Sequence, residues 1–218
     1  MTGELSGAFD GSMQMLVLQS ATAAAFAWRI AGLAILTAGL RAGNAAGTAI
    51  SAVGATLIVC SFALVGHTSA HSQRWALSML LLTHLAIVAF WFGALVPLYV
   101  VSARESASTA AEITKGFSRM ALLIVPVLLV AGLVLAGFIL KDLSALGTVY
   151  GQILVAKLVG FALLMGLAAL NKWYLGPRLE TGDVRIGLAF RRALRAEYLL
   201  IAAILALTAI LTSFYSPE

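Results

Sequence analysis

The chain has little that water would hold. Only 11% of its 218 residues are charged, 61% are hydrophobic, and the mean hydropathy is +1.01. Soluble domains are about 25% charged, so the deficit excludes an ordinary soluble fold and leaves a membrane protein. There is one cysteine, Cys60, which excludes an internal disulfide and any multi-cysteine zinc or iron–sulfur site. The outer face has no paired carboxylates and no Ser-His-Asp arrangement, and the chain has no ATP-binding loop, phosphorylated-aspartate motif or soluble nucleotide domain. The expectation is a protein that is not an enzyme. There are three histidines, and all of them fall in LVGHTSAHSQRWALSMLLLTHLAIVAFWFG, residues 64–93.

What the chain does have is long apolar runs. In lipid only helices and closed barrels satisfy the backbone, and barrel strands alternate apolar and polar residues with period two. Here the runs are continuous, which predicts an all-α fold. A span takes about 20 apolar residues, and six fit, at 15–39, 46–67, 75–101, 119–140, 150–175 and 192–214. The expected architecture is a polytopic six-helix transmembrane bundle forming a single integral membrane domain over 1–218. Its longest connection, 176–191, is too short to fold alone. The opening MTGELSGAFDGS carries Glu4 and Asp10 and no basic residue, so it lacks the positive region of a cleaved signal peptide and reads as a mature terminus.

The basic residues set the expected orientation. With the N-terminus outside, the inner loops hold Arg41, then Arg104, Lys115 and Arg119, then Lys172, Arg178, Arg185, Arg191, Arg192 and Arg195. Only Arg74 and Lys141 fall outside, while Arg29 and Lys157 lie within spans. The positive-inside rule therefore puts both termini outside. The net charge of +5 is then a topology signal. Because the basic residues are spread over three loops, no nucleic-acid role is expected.

In this orientation His67 ends the second helix, His71 lies in a short outer turn, and His84 sits inside the third helix. An ionisable residue within a span usually faces other helices and marks a site; the competing reading of His84 is a structural hydrogen bond to a neighbouring helix. His67 and His71 are four residues apart, a spacing that lets two imidazoles share a metal on a continuing helix. Cys60 lies seven residues before His67, and Met79 five residues before His84. Imidazole, thiolate and thioether together suit copper, with Cu(I) favoured and Cu(II) as the alternative. The region lacks the carboxylates that magnesium and calcium want. Met13 and Met15 offer further thioethers at the outer start of the first helix.

These residues carry a resemblance. GHTSA followed by LLTHLAIVAFWFGAL resembles the copper resistance protein D family. So do FAWRIAGLAIL, GFSRMALLIVPVLLVAGL, YGQILVAKLVGFALLMGLAALNKWYLGPRL and RALRAEYLLIAAILAL, in that order along the chain. The resemblance implies a bacterial inner-membrane protein that handles copper and moves it from the periplasm toward the cytoplasm, with a periplasmic copper carrier as partner. It also implies that His67 and His84 match the family's histidines and Trp91 its tryptophan. A role for His71 rests on spacing alone. The chain begins where longer members have already passed their opening helices, and is expected to be a short member.

Three function classes follow: a copper-binding transport protein, a b-type haem or redox membrane protein using the same histidines, and an assembly partner. The expected metal ligands are His67, His84, His71, Cys60 and Met79, in two levels: a shallow set at His67 and His71, and a deeper one at His84 with Cys60 or Met79. Two charges within the spans, Arg29 and Glu197, both fall in the inner half of the bilayer and are expected to pair.

Overall fold

A computed structural model of the chain describes residues 11–65, 74–139 and 147–214. Every regular element among the described residues is helical. Six stretches are long and apolar enough to cross a membrane: Ala21–Ala42, Ala45–Leu64, Arg74–Arg104, Ala107–Phe138, Val149–Thr181 and Val184–Phe214. We number the helices α1 (Gly11–Leu18), α2 (Ala21–Ala42), α3 (Ala45–Cys60), α4 (Arg74–Arg104), α5 (Ala107–Ile139), α6 (Val149–Leu170) and α7 (Val184–Phe214). Large apolar side chains such as Leu33, Leu123, Leu163 and Leu199 are exposed, as they are when lipid is the solvent.

The boundaries correct the sequence reading in three places. The first span starts at Ala21, because Ser20 separates α1 from α2: its Oγ donates to the Val17 carbonyl and accepts from the Ala23 N–H, closing one helix and capping the next. The α-helical part of the second span stops at Cys60, and Ser61–Leu64 continue as a 3-10 turn. The connections at 102–118 and 176–191, expected on the inner side, are largely helical. The break between α4 and α5 is two residues, Glu105 and Ser106. Apolarity ends at the membrane surface, but a helix needs only favourable backbone and caps to continue.

The chain forms two compact units, Met1–Leu85 and Ala86–Glu218. In the first, α2 and α3 make a tight hairpin. Gly43 takes the left-handed conformation (φ +63°) that ends α2, and the next residue, Asn44, caps α3 through Gly47. The two helices meet along glycines spaced seven apart. A Cβ at Gly39 would lie 2.5 Å from the Gly47 carbonyl oxygen, and one at Gly32 would lie 2.7 Å from that of Gly54. Small residues at this spacing let two backbones touch where lipid supplies no hydrophobic drive for association.

In the second unit the core is built by Trp91, Leu95 and Leu98 of α4, Leu164 of α6, and Phe190, Leu194 and Ile201 of α7. Phe92 and Tyr198 stack at 4.5 Å. The basic start of α7 is tied to the end of α4: Arg191 donates to the Ser102 carbonyl (2.8 Å) and Arg195 to the Tyr99 hydroxyl (2.7 Å). These arginines, read as topology signals, also hold helices together.

Candidate functional site

His67 and His71 lie outside the described residues. Cys60 is half-buried and is the last α-helical residue of α3 rather than a residue seven places inside a continuous helix. The physical reason is Ser61, whose hydroxyl donates to the Ile58 carbonyl (2.6 Å) and so competes with the backbone ladder. His84 is half-buried in α4, ten residues past Arg74, about 15 Å along the helix. Met79 is 63% exposed. Among the described residues, no three or more His, Cys, Asp or Glu side chains come together to hold a metal.

Arg29 and Glu197, which were expected to pair, lie in different compact units, and each has hydrogen-bond partners within its own. Arg29 Nε donates to the Ser61 hydroxyl (3.0 Å), and its guanidinium lies over Phe62 (4.2 Å to the ring centroid) and Phe26 (5.6 Å). A planar, weakly hydrated guanidinium is suited to such faces. Glu197 is 2% exposed, and each of its oxygens accepts one hydrogen bond: Oε1 from Asn171 Nδ2 at 2.5 Å and Oε2 from Trp91 Nε1 at 3.3 Å. An unpaired charge within a span costs at least ~2.5–3.5 kcal/mol, and a hydrogen bond to a charged group contributes about 1.5–3 kcal/mol. Two neutral donors therefore suffice to hold Glu197 within its unit.

Asn171 is brought to Glu197 by an irregular stretch. After α6 the chain makes a π-helical turn over Asn171–Leu175, and the Gly176 N–H bonds the Asn171 carbonyl, five residues back. Single π turns inside helices recur at functional sites. A single helical turn over Gly176–Arg178 and a 3-10 turn over Leu179–Thr181 follow. Asn171 is 7% exposed, and its Oδ1 has no hydrogen-bond partner among the described residues. The signal for it was in the sequence, a polar residue closing the apolar run of α6 directly before Lys172.

Beside this cluster lies a cavity of about 180 Å³, walled by Trp91, Thr114, Met165, Asn171 and Glu197 among mostly apolar side chains. Pro126 also lines it, as does Leu122, whose carbonyl has no helix partner at position 126 because proline lacks an N–H. Lys172 stands in the wall as well, half-buried. The arrangement is a small, half-open, mostly apolar pocket walled by one carboxylate, one amide, one ammonium and one thioether-bearing residue, a common form for a binding site.

Residues 111–211 match the family model for copper resistance protein D. The copper transport protein CutJ of Bacillus subtilis (strain 168) is 28% identical over 160 residues, which cover 71% of this chain and 28% of that protein. The chain thus matches little more than a quarter of that relative's length. No solved structure matches. The family segment contains Thr114, Met165, Asn171 and Glu197, and excludes Cys60, His67, His71, Met79 and His84. Among the described residues, six helices are long and apolar enough to span a membrane. Over residues 111–211 the chain is similar to the copper resistance protein D family.

Proposed function

We propose that the chain is a copper transport component of the bacterial inner membrane, taking copper up from the periplasm toward the cytoplasm. The observation that carries this reading is that the copper-family segment is the one that surrounds a buried carboxylate and a cavity among membrane-length helices. The distribution of basic residues supports a periplasmic placement of both termini. His67 and His71, then His84, Cys60 and Met79, would accept copper on that side, where a periplasmic carrier would release it. Their soft and borderline donors favour Cu(I). The role is transport by ligand exchange rather than catalysis.

The test is metal analysis and an absorption spectrum of the detergent-purified chain, together with copper accumulation in cells that do and do not express it. The expected result is bound copper, no Soret band, and copper accumulation that depends on the chain. Absence of copper above background would sink the reading, and stoichiometric haem with a Soret band would replace it with the redox alternative.

A further inference from the structure

The cavity wall contains chemistry that the outer ligands do not account for. We propose that the cavity beside Glu197 is a transit seat for Cu(I), with Met165 supplying sulfur and the Glu197 carboxylate and Asn171 amide oxygen supplying oxygen. The proposal rests on the copper-handling reading above.

Charge is the first argument. Glu197 is held by neutral donors only, and no ion pair is formed by it among the described residues. A monovalent cation seated against the carboxylate matches its single charge, with the Lys172 ammonium of the same wall opposing a tighter hold. A divalent ion would leave an uncompensated charge in an apolar chamber, which low dielectric disfavours.

The second argument is the unused acceptor. The Asn171 amide spends its Nδ2 on Glu197, while its Oδ1, on a side chain that is 7% exposed, has no partner among the described residues. Buried polar atoms are nearly always satisfied, and an exception on a cavity wall marks a place for an ion or other ligand. Here the orphan is an oxygen acceptor beside a carboxylate, which calls for a cation.

Softness chooses among cations. Sodium gains nothing from a thioether, whereas Cu(I) prefers one, and Met165 lines the chamber. Trp91, also in the wall, offers an indole ring, the best aromatic partner for a cation. Lys172 in the same wall weakens the hold on any resident cation. A site used in passage must bind well enough to fill and weakly enough to empty. The copper keeps its oxidation state throughout, so passage is ligand exchange alone.

The test uses the full chain in detergent, titrated anaerobically with Cu(I) against a competing Cu(I) chelator, alongside Met165→Leu and Glu197→Gln. Each substitution is expected to weaken one class of Cu(I) site by at least ~10-fold and to leave a second class intact. Met165→Leu is also expected to reduce the copper–sulfur signal in X-ray absorption. Leucine conserves the volume of methionine, so this variant keeps the test valid if Glu197→Gln fails to fold. If the wild-type chain binds no copper, the copper-handling reading falls, and this proposal with it. If the wild type binds copper and both folded variants retain every site at full affinity, the seat is wrong while the copper reading stands. Loss in Glu197→Gln with none in Met165→Leu overturns the thioether seat in favour of an oxygen-only cation site.

Discussion

Asn171 Nδ2 meets Glu197 Oε1 at 2.5 Å, joining the π turn after α6 to the buried face of α7. Trp91 reaches the other carboxyl oxygen at 3.3 Å, outside the usual 2.7–3.2 Å range of N–H···O bonds. The two donors are therefore unequal, and Asn171 supplies most of the support.

Asn171→Leu is expected to lower stability by about 1.5–3 kcal/mol, the worth of a hydrogen bond to a charged group. Adding Glu197→Gln should cost less than the sum of the two single changes, with a coupling of about 0.5–3 kcal/mol, as for residues in direct contact. Thermal unfolding of the four proteins in one detergent measures this. Strict additivity would show that the bond does not hold the turn.

The glycine seam of the first unit makes a second, sharper contrast. Gly39→Ala puts a Cβ 2.5 Å from both the Gly47 carbonyl oxygen and Ser51 Oγ, whereas a Cβ at Gly93 in α4 meets nothing within 4 Å. The first substitution should destabilise by about 1–3 kcal/mol through overpacking. The second should be neutral or mildly stabilising through helix propensity. Equal melting temperatures for the two variants would mean that the hairpin separates freely.

Much of this fold could be read from the apolar runs, because lipid forces backbone hydrogen bonds inside each span and so makes hydropathy a structural signal. The helix ends could not. ASTAAEITKGFSR reads as an inner loop by charge, yet it has no proline and forms the first turns of α5. The seven-residue glycine pairs, 32 with 39 and 47 with 54, were visible in the sequence but gave no sign of which helices they join. The cavity was the least legible feature, since it depends on Trp91, Asn171 and Glu197 meeting across three segments, a tertiary fact that no local pattern carries.

Arg29 offers a third prediction. Its Nε bond to Ser61 and its place over Phe62 both use the planar guanidinium; a lysine ammonium cannot stack or fork in the same way. Arg29→Lys should therefore destabilise by about 1–2 kcal/mol despite keeping the charge, given cation–π values of ~0.5–2 kcal/mol. Because Arg29 and Glu197 belong to separate networks, Arg29→Lys and Glu197→Gln should add within about 0.5 kcal/mol. A larger coupling between them would restore the pair that charge alone suggested.

The position of Cys60 changes what copper titrations of the outer ligands should report. From Leu64, where the second span ends, four residues of 3-10 turn at roughly 2.0 Å each put Cys60 about 8 Å from that end. His84, at 1.5 Å per residue, lies about 15 Å from Arg74, where α4 begins. A metal–nitrogen bond is only about 2 Å, taking zinc as a guide, so a thiol and an imidazole separated this way in depth do not readily share an ion. Cys60→Ala and His84→Ala are therefore expected to impair different classes of Cu(I) site. The measurement is Cu(I) titration of these variants and His67→Ala with chelator competition, each set beside the unsubstituted chain. Loss of a common site in Cys60→Ala and His84→Ala, with His67→Ala unaffected, would put the thiol back with the deeper histidine. Full copper retention in all three would remove the outer hairpin from the copper path.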